Sequence, residues 1–368
     1  MTELTEAVRL NPGLAEAQNN LGLVLWRRGS YAAAESSYRR AVEIWVRERG
    51  ENHPLTAQGV HNLAQLEESR GRYVQAESLY RRALAIKRKS LGNTHPSVTI
   101  NLNNLGIMIH RYLGKTDEAE VLIREALESD RKTFGENHSF VAASLGNLGQ
   151  ILQGKGAFES ADSAMRHALA VNRSLYGAQH TNVAFNLSGL ASLNLARGNV
   201  DEAVSLTRQA LAQYEALFGK SHLYYRVVSV NLGRALREKG DYAEAEQVLR
   251  AVSGVLDTAK AAERAQYIGA QVGLGQTLTD LGRTSEAQPI LERVVELSRA
   301  HFGAEHWRTG EARLALATCL LKTGAKDRAI PLLREAYTQV QTQRRAQPRL
   351  VARATRVMES AGVRPPAS

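Results

Sequence analysis

Cysteine, aromatic rings and long apolar runs are all scarce in this chain. Its 368 residues include one cysteine and eight prolines, and aromatics make up 6%. No run of eighteen apolar residues occurs, so no membrane-spanning helix is expected. Cys319 stands alone in an apolar stretch and cannot close an internal disulfide. It is expected as a small buried residue rather than a reactive thiol. That cysteine usage fits a reducing compartment, and a cytoplasmic location is the expectation. Met1 to Glu6 show no basic segment followed by an apolar one, so no secretory leader is expected there. No carboxylate pair, serine–histidine pair or acid cluster stands apart from the regular pattern described next, so a catalytic role is not expected. What is plentiful is alanine and leucine, within a hydrophobic content of 43%. That composition suits close-packed helices. The formal charge of +10 favours acidic partners, spread thinly over a long surface.

The pattern is a period. Gly29, Gly71, Gly114, Gly156, Gly198, Gly240, Gly282 and Gly324 recur every 42 residues, with a single step of 43. Ala34, Ala76, Ala119, Ala161, Ala203, Ala245, Ala287 and Ala329 keep step five residues later. A period of this size is the mark of a repeat array, in which each unit packs on its neighbours and the core grows lengthwise. Within one period, Leu63, Ala64 and Leu66 precede Gly71. Tyr73, Ala76, Tyr80, Ala83 and Ile86 follow it at spacings of three or four. That gives two helices per repeat. The glycine is their turn, where positive φ is needed, and the alanines let the two backbones approach.

A second glycine series, Gly50, Gly92, Gly135, Gly177, Gly219 and Gly303, closes the second helices and is expected in the left-handed region. Each is followed by a histidine: His53, His95, His138, His180, His222 or His306. A shared metal is excluded. Equivalent residues on neighbouring helices lie about 8–10 Å apart, whereas zinc needs its nitrogens within about 2.1 Å of one ion. The histidines are expected to cap and pack the loops. Gly149 to Gly156 imitates a phosphate loop but has Gly156 where a hydroxyl ligand belongs, and no strand leads into it. No metal and no cofactor are expected. Glu35, Glu77, Glu120 and Glu246, like Arg39, Arg81, Arg124, Arg166, Arg208, Arg250 and Arg334, recur because the repeat recurs. They read as a solvated or paired helix face. A basic stripe for nucleic acid would interleave aromatics for stacking, and here the aromatics hold core positions.

The repeat fails in places. The third carries the extra residue near Gly114. In the sixth, Ala261 stands where the loop glycine belongs. Asp257 or Thr258 could cap a helix that starts early there, so one long helix from Ala259 to Leu281 is expected. The expected organisation is a half repeat at 1–14 (second helix only), eight helix pairs over 15–347, an amphipathic closing helix at 348–361 and a disordered tail at 362–368. The opening half repeat suggests a chain that begins mid-repeat or a fragment of a longer one.

These residues resemble tetratricopeptide repeats. Leu21-Gly22, Tyr31, Ala34, Tyr38 and Ala41 fill the family's places, as do Leu63-Ala64, Tyr73, Ala76, Tyr80 and Ala83. The longer unit, with Asn-Asn-Leu-Gly, Tyr, Ala-Glu, Leu-Tyr, Arg-Ala-Leu and Gly-x-x-His-Pro, is similar to the kinesin light chain class. The resemblance implies an all-α, right-handed superhelical solenoid of helix-turn-helix repeats whose first helices line a concave groove for extended peptides. By register from the Leu-Gly pair, the groove positions are Asn20, Asn62, Asn104, Asn147 and Asn231. Beside them fall Asn19, His61, Gln65, Asn103, Arg111, Gln150, Arg234, Arg237 and Gln276, with Glu16, Glu68, Glu238 and Asp280 adding acidic points. An amide offers donor and acceptor together. A row of amides can pair with a peptide backbone, or it can bond the neighbouring helix and only shape the array. The expected function is a non-catalytic scaffold or adaptor for protein or peptide partners, acidic ones included. A regulatory or sensor module of a larger signalling protein is the first alternative, and a nucleic-acid-binding array the weaker one. The partner's identity and the oligomeric state are not written in the sequence.

Overall fold

The structure is a computed structural model, and it describes residues 10–11, 13–258, 261–342 and 348–364. The expected half repeat at 1–14 and the end of the tail therefore lie largely outside the described residues. The described residues form 17 α-helices and no strand. They divide into two compact units, Met1–Ile151 and Leu152–Ser368.

Unit 1 contains α1 (Ala15–Arg27), α2 (Tyr31–Arg49), α3 (Pro54–Ser69), α4 (Tyr73–Leu91), α5 (Pro96–Leu113) and α6 (Thr116–Phe134). It also holds most of α7 (Ser139–Gly154), within which the division falls. Helices pair as α1 with α2, α3 with α4 and α5 with α6, and each second helix then packs on the next first helix. Ala34, Ala76 and Ala119 are completely buried, as a close crossing requires. Tyr38, Tyr80 and Ile123 press on the partner helix. A Cβ added at Gly22 would stand 2.7 Å from the Tyr38 ring, which is why the leucine is followed there by glycine.

Unit 2 contains α8 (Phe158–Tyr176), α9 (Thr181–Arg197), α10 (Val200–Phe218), α11 (Leu223–Lys239) and α12 (Tyr242–Ser253). It continues with α13 (Ala261–Asp280), α14 (Thr284–Phe302), α15 (Trp307–Lys322), α16 (Lys326–Gln341) and α17 (Pro348–Ser360). The sixth repeat departs as its missing loop motif implies. Helix α12 has 12 residues where α10 has 19, and α13 has 20. Residues 259 and 260 of the expected long helix lie outside the described residues. With α12 cut short, α13 packs directly on α11 and α15 as well as on its own partners. Arg226 of α11 fills the place of the lost turn, donating to the Val255 carbonyl at 2.7 Å and lying 3.2 Å from Glu263. Glu263 in turn accepts from the Asp257 backbone N–H at 2.9 Å. Val363, placed in the tail by its sequence, is buried in the core with Met358 and accounts for the last turn by donating to the Met358 carbonyl.

The loop glycines need one correction. Gly50, Gly92, Gly135, Gly177, Gly219 and Gly303 have φ from 76° to 100°, but ψ of 159° to 173°, or −177° at Gly177. That is the extended positive-φ region, which L side chains essentially never adopt, rather than the left-handed helical one. The chain must straighten there to deliver its histidine to the next helix. Each of the six histidines then accepts, at Nδ1, from the backbone N–H two residues on, at 3.1–3.2 Å. The rings of His138, His180, His222 and His306 stack on Phe134, Tyr176, Phe218 and Phe302. The recurring arginines are also engaged. Arg39, Arg81, Arg124, Arg166 and Arg250 each pair with an acid one turn earlier. No helix among the described residues is long and apolar enough to cross a membrane.

Candidate functional site

In unit 1 the register brings the predicted amides together in a lateral chain. Asn62 donates through Nδ2 to Asn19 Oδ1 at 2.8 Å. Asn104 Nδ2 meets His61 Nε2 at 3.2 Å. Asn147 Nδ2 donates to Asn103 Oδ1 at 2.8 Å. Each rung thus joins one first helix to the first helix of the preceding repeat. The acceptors Asn19, His61 and Asn103 are buried, whereas Asn62, Asn104 and Asn147 are half-buried and Asn20 is exposed. The chain stops after Asn147 for a local reason: the next acceptor position is Gly146, which has no side chain. Arg111 extends the face by donating to Gln150 Oε1 at 2.7 Å. Gln65 is half-buried on α3, where its backbone carbonyl takes the Ser69 hydroxyl. Glu68, on the same face, accepts from the Tyr80 hydroxyl at 2.9 Å. Burial holds its carboxyl above the usual range, against that hydrogen bond.

Beneath this row lies a second polar column, which motif reading does not reveal. Asn101 is completely buried and donates to the Tyr80 carbonyl at 2.9 Å. Its Oδ1 receives both His61 Nδ1 at 2.8 Å and Lys87 Nζ at 3.3 Å. The tautomer of His61 follows from these partners: Nδ1 carries the hydrogen and Nε2 accepts from Asn104. Burial, reinforced by Lys87, pushes the His61 pKa down to about 4, so the ring is neutral and the rung intact near neutral pH. Burial likewise pushes Lys87 down to about 8. One repeat on, Ser144 donates to Asp130 Oδ2 at 2.8 Å and receives Asn103 Nδ2 at 2.8 Å. The matching pair in unit 2 is Asn172 donating to Asn186 at 2.6 Å. The available signal is a polar residue in a column that also holds large apolar ones: Lys87, Asp130 and Asn172 share their register with Trp45, Tyr214, Leu256 and Val340, and with Ser298.

Unit 2 carries different chemistry at the corresponding positions. Asn231 is exposed. Arg234 donates to Glu311 at 2.5 Å across from α11 to α15. Arg237 donates to Asp280 at 2.9 Å and to Glu238 at 2.7 Å. Gln276 is buried, and its Nε2 has no hydrogen-bond partner. These four residues line a single cavity of about 380 Å³, together with side chains from α9, α15 and the closing helix α17. Arg349 and Arg353 of α17 approach Glu238 at 3.5 and 3.6 Å. The guanidinium of Arg349 also lies beside Gly198, at the C-terminus of α9. The closing helix therefore reaches a first helix that is far from it in sequence.

The sequence matches the tetratricopeptide repeat family over residues 13–89, 59–132, 97–174, 140–215, 181–255 and 266–341. No curated protein matches it. Among solved structures, a Rap protein complexed with Competence and Sporulation Factor is similar, with a TM-score of 0.59 and 14% identity, covering 95% of this chain and 98% of that one. BtubC (BKLC) from P. vanneervenii is similar at a TM-score of 0.49 and 25% identity, covering 62% of this chain and 88% of that one. A putative kinesin light chain of Podosopora anserina, with nearly identical TPR-like repeats, is similar at 0.46 and 25%, covering 55% of this chain and 95% of that one.

Proposed function

The chain belongs to the tetratricopeptide repeat family, with a unit of 42 residues, and from that premise we propose that it is a non-catalytic interaction scaffold that holds an extended protein segment on its first helices. The observation that carries this reading is the amide row of unit 1. Asn62, Asn104 and Asn147 each spend one N–H on a neighbouring helix. An amide has two N–H donors and a two-lone-pair oxygen, so each retains a donor and an acceptor for a peptide unit. The lateral bonds hold the amides in place before any ligand arrives, which lowers the ordering cost of binding. Neighbouring first helices stand roughly 8–10 Å apart, and an extended chain advances about 3.3 Å per residue. One rung therefore serves about every third residue, without regard to sequence.

The preference among peptides comes from charge. Arg111 favours acidic residues, while Glu68 on the same face keeps that field local; Arg234 and Arg237 are spent on Glu311, Asp280 and Glu238. A display library of random twelve-residue peptides, screened against the intact chain, tests both parts. Enriched peptides should be extended and carry acidic residues. Asn147→Ala should weaken all of them. Arg111→Ala should weaken the acidic ones at least threefold, since a charge-assisted bond contributes about 1.5–3 kcal/mol when water is excluded and less at this exposed position. Enriched peptides that bind Asn147→Ala as tightly as the wild type would refute the amide row as the peptide contact.

A further inference from the structure

The cavity of unit 2 has an uneven charge balance. Six arginines line it: Arg234 and Arg237 from α11, Arg308 from α15, and Arg349, Arg353 and Arg356 from α17. Two carboxylates, Glu238 and Glu311, share the lining. Glu311 is engaged by Arg234 at 2.5 Å. Glu238 is engaged by Arg237 at 2.7 Å, and the same carboxylate is the acid that Arg349 and Arg353 approach at 3.5 and 3.6 Å. A charge-assisted N–H···O bond closes to about 2.7–2.9 Å, so one carboxylate serves three guanidiniums and satisfies one of them well. Gln276 adds a buried amide nitrogen with no partner. Polar atoms buried in this way normally have partners.

We propose that this cavity is a binding site for a small multivalent oxyanion, a free carboxylate- or phosphate-bearing molecule. The anion accepts from Arg353, Arg349 and Arg356 on one side and from Arg237 and Gln276 on the other, and so fastens the closing helix to the first helices of unit 2. The arginine fork suits such groups because its donors match two oxygens at once. The volume of about 380 Å³ lies at the low end of the range for small-ligand sites, and it leaves little room for an extended segment of several residues. Burial, with the neighbouring Arg237, pushes the Arg353 pKa down to about 10 against the pull of Glu238 and Glu311. The site goes beyond the peptide reading and does not rest on it, because that reading stands on unit 1.

Calorimetric titration of the full chain with pyrophosphate in 0.15 M salt tests the site. We expect one saturable site with a Kd below 1 mM. Arg353→Gln should raise that Kd at least tenfold, and Arg356→Gln, at an exposed position that leaves the fold intact, at least threefold. Arg250→Gln removes the same charge from the outer face and should change nothing. In hydrogen exchange, pyrophosphate should slow the amides of residues 348–360 in the wild type and not in Arg353→Gln. A second titration uses an acidic ten-residue peptide of Asp and Glu. It distinguishes a free anion from an acidic side chain. Pyrophosphate uptake that the peptide does not displace supports the site. No saturable uptake of pyrophosphate by 10 mM, displacement by the peptide at lower concentration than pyrophosphate itself binds, or equal losses in Arg250→Gln and Arg353→Gln would each overturn it. None of these results depends on Asn147, so failure here and failure of the peptide reading remain distinct.

Discussion

Unit 1 joins its first helices with neutral amides, whereas unit 2 joins them with ion pairs. The frame is the same: glycine turns, buried alanines and histidine-capped loops recur in both. On the first helices, unit 1 has Asn62 on Asn19 and Asn147 on Asn103, while unit 2 has, one and two turns further along the same face, Arg234 on Glu311 and Arg237 on Asp280. An amide pair is directional, short in range and nearly indifferent to salt. An ion pair acts over several ångströms and is screened by salt where it meets water. A repeat thus constrains the helix contacts while leaving the exposed first-helix positions open to different ligand chemistries.

The comparison is broken most severely beneath the face. Asn101 holds three groups at once: the His61 ring, the Lys87 ammonium and the Tyr80 carbonyl. Asn101→Ala leaves all three buried without it. The Tyr80 carbonyl keeps its helical hydrogen bond, so two groups are left unsatisfied, and at about 1–3 kcal/mol for each a loss of at least about 2 kcal/mol is expected. Asn186→Ala in unit 2 removes the acceptor of one amide, Asn172, and should cost about 1–3 kcal/mol. Urea unfolding of the two variants measures the difference. Equal losses would mean that Asn101 is no hub.

Acid offers the second test. The neutral form of His61 is favoured in the folded protein, its pKa pushed from 6.5 down to about 4. The unfolded chain therefore takes up the proton first. The contribution of His61 is complete above about pH 6.5 and is lost as the pH falls toward 4. At pH 5 the loss amounts to about 2 kcal/mol, by the linkage of about 1.4 kcal/mol per unit. Denaturant curves at pH 7 and pH 5 should show that difference in the wild type and a smaller one in His61→Gln. His306 in unit 2, also pushed down to about 4 by burial and by Arg308, adds a loss of the same sign through its loop cap. An unchanged pH dependence in His61→Gln would remove the protonation argument.

A single rung is worth less. Asn62→Ala takes one half-buried amide from Asn19 and should cost about 1 kcal/mol. The same change at exposed Asn20 should cost less, and a thermal midpoint series over both positions measures the gradient from buried to open.

How much of this was legible follows from what recurs and what does not. The glycine and alanine series give the turns and the close crossings, because every repeat needs them. The histidine caps were legible for the same reason, and the early start of α13 because the loop motif is missing before it. The ψ of the loop glycines was not, since glycine allows several positive-φ conformations and the sequence does not select one. Lys87, Asp130 and Asn172 escape a reading by period because their column keeps no residue type: Trp45, Tyr214, Leu256, Ser298 and Val340 share it. They had to be polar together with Asn101, Ser144 and Asn186, and that pairing spans two helices. The reach of α17 to Glu238 is a long-range contact. Arg349 and Arg353 read locally as the polar side of an amphipathic helix, and nothing near them in the sequence names their partner.

The smallest effect sharpens the comparison most, because it is expected to be equal in both units. The outer faces of the second helices carry ion pairs between repeats: Arg81 with Glu118 in unit 1 and Arg208 with Glu244 in unit 2, at 2.6 and 2.7 Å. All four side chains are well exposed, at 44% and 41% in the first pair and 54% and 42% in the second. Each exposed pair holds two long side chains in one geometry, and water screens the attraction, so a coupling of about 0.2–1 kcal/mol is expected. Double-mutant cycles with alanine at Arg81 and Glu118, and at Arg208 and Glu244, should return the same small value and lose most of it in 1 M salt. A larger coupling in unit 2 would mean that its preference for charge extends to the outer face. Equal couplings would confine the contrast between the units to the first helices, where the amides and the guanidiniums lie.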